Sequence, residues 1–318
     1  MRASASVEDL PPAPPETVRQ RLAYWQYRAA WEAAARLPQG LAAAIPRRAG
    51  KAWYRAASAR QLDQVRRNLS RVMGHPPAHE LEDMVRRAYV SYARYWLDSF
   101  RLHTMSPDDV LARSTGENLE LVDDLIASGK GAILATGHLG SWDIGAFFTS
   151  QRNWGMAVVA EVVEPRRLFH RFVDLRRQAG IEVFPLVRGG DMVSRLEGVV
   201  ADGGLATLLA DRDLTKKGPV VTFFGEPCRL PPGPAVLARR TGRPVAVGAF
   251  LTRGDDGYHG VIESVVDIAH LEVEEGTQVI AEQLEALIRR APDQWHVFVP
   301  NWLADREPDH PAVSGAPS

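Results

Sequence analysis

The feature that most constrains this chain is a change in hydrophobic period close to Thr115. Beyond that residue, short apolar runs alternate with longer stretches in which apolar residues recur at helical spacing. Apolar runs this short are typical of strands that are buried on both faces of a sheet. We therefore predict strands at 132–136, 155–160, 181–186 and 205–210.

Helical stretches separate these runs, so the segment repeats a strand, helix, strand pattern. Such a repeat implies right-handed crossovers and a largely parallel sheet. The predicted fold class is α/β, with a mostly parallel central sheet flanked by helices. We predict helices at 118–128, 142–150, 164–178, 191–201 (with Asp191 as N-cap) and 275–290, and further strands at 220–224, 244–251 and 258–266.

The first third of the chain has a helical period throughout, interrupted by Pro and Gly residues that divide it into several helices. Residues 18–101 contain 16 Lys and Arg against 6 Asp and Glu, a balance of +10 (16 − 6), and the whole chain sums to −1. We therefore predict an N-terminal basic helical segment. Its aromatic residues include four at helical spacing, namely Tyr24, Trp25, Tyr27 and Trp31.

A basic, aromatic helical segment suits two kinds of partner on charge alone, anionic lipid head groups and nucleic acid. A solvent-facing helical layer is the third interpretation, because charged helix faces are usually hydrated. The segment contains no apolar run of the roughly 20 residues that a transmembrane helix requires. The remainder of the chain contains none either, so we expect no membrane span.

The domain organisation follows from these patterns. The Pro-rich ends, 1–17 and 304–318, are expected to be disordered tails. Between them we expect a single domain over 18–303, with a helical part at 18–102 and an α/β part at 115–303. The only cysteine, Cys228, excludes an internal disulfide and fits a reducing compartment.

Two of the predicted strands are followed directly by ionisable residues. His138 comes just after the strand that ends at Thr136, with Asp143 five residues further on, and Asp211 follows the strand at 205–210. In open α/β sheets, reactive groups gather at the carboxyl ends of strands. A histidine beside an acid is the minimum apparatus for general base catalysis on a hydroxyl group.

The spacing of His138 and Asp143 is weak evidence by itself, because three other histidines have an acid at the same distance: His75, His103 and His270. None of these three follows an apolar strand. His138 does, and it lies in a loop where Gly137 and Gly140 permit close approach of the backbone to a substrate. A histidine that only stabilises a tight strand-to-helix turn is the alternative interpretation.

Other chemistries find less support in the sequence. Ser141 lacks the second glycine of a nucleophile elbow, which argues against a serine hydrolase. Asp211 and Asp213 have the spacing that holds a divalent ion in many glycosyltransferases. A metal-dependent glycosyltransferase therefore stays open as an alternative function.

Several blocks of sequence, taken together, resemble the lysophospholipid and lipid A type acyltransferase family. The resemblance is greatest to its actinobacterial phosphatidylinositol mannoside acyltransferase branch, and it covers about residues 89–302. The blocks are ATGHLGSWDIGA, FVDLRRQAGIEVFPL, LADRDLTKKGPVVTFFGEPCRLPPGPAVLARRTGRPV and APDQWHVFVPNW.

The resemblance implies roles for particular residues. His138 would be the catalytic base, Asp143 would complete the HX4D motif, and Asp211 would assist the histidine at a position where the branch usually has Glu. Arg176 would bind a phosphate group. The remaining residues predicted to bind substrate are Gly140, Ser141, Phe224 and Gly233.

The resemblance also implies the reaction and the partners. A long-chain acyl group would move from acyl-CoA, a co-substrate, to a hydroxyl of a glycolipid, with no metal or other cofactor. The lipid A enzymes of the family typically begin with a membrane-spanning helix, whereas the basic segment here predicts peripheral docking on an anionic membrane, at the cytoplasmic face of the plasma membrane, and not nucleic acid binding. An acyl carrier protein as donor and a non-catalytic lipid-binding protein are the further alternatives.

Overall fold

The central sheet of the computed structural model has seven strands in the order β1-β9-β8-β2-β5-β3-β4. All neighbouring pairs are parallel except β8 and β9, which are antiparallel. The structure describes residues 10, 13–178, 180–186 and 192–314. The strands are β1 Ser114–Glu117, β2 Ala132–Thr136, β3 Met156–Glu161, β4 Glu182–Leu186, β5 Leu205–Leu209, β6 Val220–Phe223, β7 Glu226–Arg229, β8 Val245–Arg253 and β9 Gly257–Val266.

Strand β2 lies at the centre of the sheet and is buried along its whole length. Its residues alternate between two hydrophobic clusters, with Ala132 and Leu134 in one and Ile133 and Ala135 in the other. Both faces of the sheet are therefore covered, which is why the strand is continuously apolar. The predicted α/β fold class is confirmed.

Helices cover both faces of the sheet. Helices α6, α7 and α8 contribute to one cluster, and α9, α10 and α11 contribute to the other. The helices after the N-terminal segment are α5 Pro107–Ala112, α6 Glu120–Ala127, α7 Trp142–Ser150, α8 Arg166–Gln178, α9 Met192–Ala201, α10 Gly233–Thr241, α11 Val273–Arg290, α12 Leu303–Arg306 and α13 Pro311–Ser314.

The basic N-terminal segment forms four helices, α1 Val18–Ala35, α2 Gln39–Ala56, α3 Ala59–Val72 and α4 Ala78–Arg101. Helices α2 and α4 cross closely, because a Cβ atom on Gly50 would lie only 2.4 Å from the Cα of Val90. Helix α4 in turn contacts α7, which follows the His138 loop. Within the described residues no helix is both long enough and apolar enough to cross a bilayer.

The structure differs from the sequence predictions at β6 and at β1. The predicted strand at 220–224 is β6, which pairs only with β7 in a separate antiparallel ribbon. The short edge strand β1 was not predicted, because its four residues are polar or half-exposed and carry no apolar run. The N-cap predicted at Asp191 lies outside the described residues.

The C-terminal stretch that we expected to be a disordered tail from residue 304 contains α12 and α13. Asp305 pairs with Arg71 at 2.6 Å, and Arg306 donates to the backbone carbonyl of Asp213 at 2.9 Å. These long-range polar contacts hold a segment whose composition is low in apolar residues. Residues 315–318 lie outside the described residues, as do 1–9, 11 and 12.

Candidate active site

The register of two neighbouring strands brings His138 and Asp211 together. Thr136 of β2 is paired with Leu209 of β5, and both strands end there. His138 and Asp211 each follow their strand by two residues, so they lie side by side at the carboxyl edge of the sheet. The imidazole Nδ1 of His138 is 2.8 Å from Oδ1 of Asp211.

The carboxylate of Asp211 is fully buried and surrounded by donors. Its Oδ2 accepts from the backbone N–H of His138 and from the indole Nε1 of Trp295, both at 2.8 Å. Burial alone would raise the pKa of Asp211, but the imidazole of His138 and these hydrogen bonds outweigh burial and hold the pKa below its ordinary value. Asp211 is therefore ionised near neutral pH.

The ionised state of Asp211 determines the tautomer of His138. A carboxylate only accepts hydrogen bonds, so the proton of the neutral imidazole must be on Nδ1. The other nitrogen, Nε2, has no hydrogen-bond partner within the described residues, and the side chain is 24% exposed. The arrangement leaves a lone pair on Nε2 that can take a proton from a bound hydroxyl group.

Asp143 does not contact the imidazole, although it completes the predicted motif. Its Oδ1 accepts from Arg176 at 2.8 and 2.9 Å, and its Oδ2 accepts from Ser99 at 3.0 Å and Tyr95 at 3.1 Å. These partners belong to α8 and α4. Asp143 therefore joins three helices beneath the His138 loop and acts as a positioning residue.

Arg176, predicted to bind a phosphate group, has its guanidinium on Asp143 instead. Burial disfavours the charge of Arg176, but the carboxylate of Asp143 outweighs burial and raises the pKa of Arg176. The cation is thus neutralised within the protein. Nothing in this geometry leaves it turned toward a phosphate of a substrate.

The turn after His138 is held by backbone hydrogen bonds. The N–H of Gly140 donates to Gln294 O at 2.9 Å, and the N–H of Ser141 donates to Phe250 O at 2.8 Å. The N–H of His138 donates to Asp211, and the N–H of Leu139 donates to the carbonyl of Gly137. The four consecutive backbone amides of residues 138–141 therefore all have acceptors within the protein. These amides therefore cannot be the oxyanion donors that the position of the turn suggests.

The residues predicted to bind substrate in this turn have structural contacts. Gly140 has φ +67°, and a Cβ atom there would lie 2.2 Å from Phe250 O, so only glycine fits. Ser141 is buried and donates to Asp98 at 3.0 Å. Both residues hold the turn against β8 and α4.

Phe224 and Gly233 lie on the opposite face of the sheet. Phe224 belongs to the hydrophobic cluster beneath α10 and α11. Gly233 begins α10, where a Cβ atom would come within 2.8 Å of Leu208 Cδ2. The structure does not bring either residue to the cavity beside His138.

An apolar cavity of about 300 Å³ lies on the α7 and α8 side of the sheet. It reaches Thr136 and Trp142, which flank His138 in sequence, and Tyr95 and Trp96 of α4. Most of its other lining is hydrophobic, including Phe148, Trp154, Met156, Phe169 and Phe250, and the charged residues Asp143, Arg176 and Glu161 also border it. A cavity with this lining beside His138 suits a long apolar chain.

Three residues of the segment after α11 support the site and were not predicted. Trp295 donates to the carboxylate of Asp211, and Asn301 donates to the backbone carbonyl of Asp211 at 2.9 Å. The N–H of His296 donates to His138 O at 2.7 Å. The sequence signal for them is the block APDQWHVFVPNW of the family resemblance, which contains all three residues.

His296 does not compete with His138 as a base. Burial and the neighbouring His138 lower the pKa of His296 to about 3, so its imidazole stays neutral above that pH. Its Nε2 lies 3.0 Å from Ser91 Oγ, and its ring stacks on Tyr92 with centroids 4.8 Å apart. The residue packs beneath the loop and fixes the position of His138.

The alternative of a metal pair at Asp211 and Asp213 does not fit the donors around them. Asp213 accepts from the backbone and hydroxyl of Thr215, each at 2.7 Å, and from the N–H of Gly218 at 2.9 Å. Asp211 is occupied by His138 and Trp295. The two carboxylates thus serve separate hydrogen-bond networks and share no ligand position.

The buried pair of Asp143 and Arg176 generates a prediction about stability. Arg176→Ala leaves a buried carboxylate with only hydroxyl partners, so it should lower the free energy of unfolding by about 3–5 kcal/mol. Arg177→Ala is the matched control, because Arg177 is the exposed neighbour on the same helix, and the change should stay within about 0.5 kcal/mol. Urea denaturation followed by circular dichroism measures both. Equal stability of the two variants would contradict the role of Arg176.

Known proteins resemble the chain over almost all of its length. A family model for bacterial lipid A biosynthesis acyltransferase matches residues 15–304. The phosphatidylinositol mannoside acyltransferase of Mycolicibacterium smegmatis is 35% identical over 296 residues, which cover 91% of this chain and 94% of that relative. The protein of the same name from Mycobacterium tuberculosis H37Rv is 35% identical over 301 residues, 93% of each chain. The protein is thus an O-acyltransferase, and its chain belongs to the bacterial lipid A biosynthesis acyltransferase family.

Proposed function

We propose that this acyltransferase moves a long-chain acyl group from acyl-CoA to a hydroxyl of a glycolipid, a mannose of phosphatidylinositol mannoside. The observation that carries the proposal is the Nδ1-protonated imidazole of His138, held by Asp211 at 2.8 Å beside an apolar cavity. The names of the two relatives support the choice of acceptor.

The proposed reaction is a direct transfer. The hydroxyl oxygen of the acceptor attacks the thioester carbonyl while Nε2 of His138 takes the hydroxyl proton. The tetrahedral intermediate collapses, the carbon to sulfur bond breaks, and the coenzyme thiolate leaves and takes the proton back from the imidazolium. Asp211 stabilises the imidazolium electrostatically, and no covalent enzyme intermediate forms.

The developing oxyanion needs donors other than the occupied amides of the turn. The first amides of α7, which begins at Trp142, have no intrahelical acceptor because of their position in the helix. Ser141 does not cap them with its side chain, since its hydroxyl donates to Asp98. The positive end of α7 is therefore our proposed source of oxyanion stabilisation.

We propose that only some of the aromatic residues of the N-terminal segment contact the membrane. Trp31 is only 2% exposed and packs against Phe100 and Phe172 of the core, so it cannot insert into a bilayer. On the other face of α1, three apolar side chains at spacings of four and three are exposed: Val18 at 73%, Leu22 at 58% and Trp25 at 54%.

Exposed arginines accompany this apolar stripe, including Arg19, Arg21 and Arg28. Arg28 lies over the ring of Trp25 with its guanidinium carbon 5.2 Å from the centroid. An apolar stripe with arginines beside it is typical of a helix that lies in the interface of an anionic membrane. We place this membrane at the cytoplasmic face of the plasma membrane, where acyl-CoA is supplied.

The first test of the mechanism is His138→Ala. Turnover of long-chain acyl-CoA with a phosphatidylinositol mannoside acceptor should fall by about two to four orders of magnitude, because the base is lost. Mass spectrometry of the lipid products measures the rate, and circular dichroism checks that the variant is folded. His270→Ala is the matched control, since His270 has the same spacing to an acid, is exposed, and should leave turnover unchanged. Turnover near that of the unchanged protein in His138→Ala would disprove the general base.

The second test uses Asp211. Asp211→Asn removes the charge that fixes the tautomer, so kcat should fall about 10²-fold to 10⁴-fold. Asp211→Glu keeps the charge, and it should retain more activity despite the tight site, where a Cβ atom on Gly137 would lie 3.1 Å from Oδ2. The same product assay compares the two variants. If Asn supported faster turnover than Glu, charge stabilisation of the imidazolium would be wrong.

The membrane contact predicts salt-sensitive binding to vesicles. Raising salt from 0.1 M to 1 M shortens the Debye length from about 10 Å to about 3 Å, so flotation with anionic vesicles should decrease. Arg21→Gln/Arg28→Gln should lower this binding at low salt, and Trp25→Ala should lower the part that persists at high salt. The control Lys216→Gln/Lys217→Gln removes two exposed charges far along the chain. Equal flotation with neutral and anionic vesicles at both salt concentrations would exclude electrostatic docking.

A further inference from the structure

A second cavity, which the reaction described above does not use, lies between α2 and α4 at the carboxyl end of β8. Its volume is about 700 Å³, larger than the apolar cavity of about 300 Å³. Two acidic residues, Asp255 and Asp293, contribute to its walls. Six cationic residues also line it, namely Arg47, Lys51, Arg55, Arg86, Arg87 and Arg94. We call this cavity the basic cleft.

Half of these cations already have protein partners. Arg47 pairs with Asp255 at 2.7 Å, Arg86 pairs with Asp83 at 2.9 Å, and Arg94 donates to two backbone carbonyls of the β8 to β9 turn. These contacts fix the walls of the basic cleft. The other three cations of the basic cleft are Lys51, Arg55 and Arg87.

No ion pair within the described residues neutralises Lys51, Arg55 or Arg87. Arg87 donates only to the sulfur of Met84, at 3.4 Å. Asp293 shares the wall with them, and burial raises the pKa of its carboxyl although the charge of Arg87 opposes that rise. Three cations around one concave space attract anions strongly, because the protein walls focus their field.

The basic cleft lies close to the catalytic loop. Its floor includes Gln294, whose carbonyl accepts from the N–H of Gly140 at 2.9 Å. Two residues further on, the N–H of His296 donates to the carbonyl of His138. The Cα atoms of Gln294 and His296 are at most about 7.6 Å apart. With the hydrogen bond from His296 to His138 added, Gln294 lies within roughly 10 Å of the His138 backbone. One extended substrate could reach both.

The shape and charge of the basic cleft favour a small polyanion over a protein. A helix of an acyl carrier protein presents spaced carboxylates on a convex surface, which contacts an exposed basic face but does not enter a cavity. Phosphate groups of a small molecule are compact, densely charged and well matched to Arg and Lys donors.

We propose that the basic cleft binds phosphate groups of one of the two substrates during transfer at His138. Two sources carry this chemistry, the diphosphate and 3′-phosphate of the coenzyme A part of the donor, and the phosphodiester of the inositol lipid acceptor. The assignment to a substrate rests on the proposed function. The existence of the phosphate site does not, because it stands on the cavity and its unneutralised cations.

The experiment measures binding to the full-length protein by isothermal titration calorimetry at low salt. The probes are adenosine 3′,5′-diphosphate, inorganic pyrophosphate and glycerophosphoinositol. At least one should bind, and Lys51→Gln/Arg55→Gln/Arg87→Gln should weaken that binding by about tenfold or more, since charge-assisted hydrogen bonds are lost. Preference for the nucleotide assigns the donor as the source, and preference for glycerophosphoinositol assigns the acceptor.

The matched control is Arg48→Gln/Arg60→Gln/Arg177→Gln, which removes the same charge from exposed positions of α2, α3 and α8 outside the basic cleft. It should bind the probes as the unchanged protein does. If the first triple variant does not fold, Arg55→Gln alone should still weaken binding, because Arg55 is exposed and has no ion pair in the described part of the chain.

The possible outcomes test the phosphate site and the proposed acyl transfer separately. No binding of any probe, or binding that the triple variant leaves unchanged, overturns the phosphate site. Binding of an acyl carrier protein that depends on these three residues, with none of the small probes, also overturns it. Probe binding without any acyl transfer would instead disprove the proposed function and leave the phosphate site standing.

Discussion

The hydrogen bond between His138 and Asp211 is the interaction on which the rest of the site depends. It requires a buried negative charge, and such a charge is stable only when donors surround it. Here the donors come from the imidazole, the backbone of His138 and the indole of Trp295. The register of β2 with β5 and the segment after α11 are both needed to bring them together. Contacts between distant parts of the chain therefore meet at the carboxylate of Asp211.

The acid of the sequence motif has a different function from the one that its spacing suggests. Asp143 follows His138 by five residues, but one turn of α7 directs it away from the imidazole and toward Arg176, Tyr95 and Ser99. The residue that contacts the imidazole, Asp211, is 73 positions further along the chain. The motif thus combines the proposed base with the ion pair that anchors its loop, and the proposed base and the carboxylate that contacts it follow separate strands.

The predictions from sequence were most accurate where burial imposes a hydrophobic period on the chain. The bounds of β2 and α7 agree with the prediction, because continuous burial and a helix after a turn leave local traces. His138 and Asp211 were found for a similar reason, since both follow apolar strands. The pairing of Trp295 with Asp211, the pairing of Arg176 with Asp143 and the separation of β6 from the central sheet were not predictable. The two pairings are contacts between distant parts of the chain, and the local residue pattern is the same with or without them. The residue pattern of β6 is likewise the same whether it joins the central sheet or pairs only with β7.

The burial of His296 also has a kinetic consequence. Two imidazoles lie next to each other at this site, joined by the hydrogen bond from the N–H of His296 to the carbonyl of His138. With a pKa of about 3, His296 keeps one charge state through the range in which enzymes are normally assayed. Asp211, whose pKa is lowered, also stays ionised there. Ionisation of His296 and of Asp211 should therefore add no step to the acidic limb of the rate profile in that range.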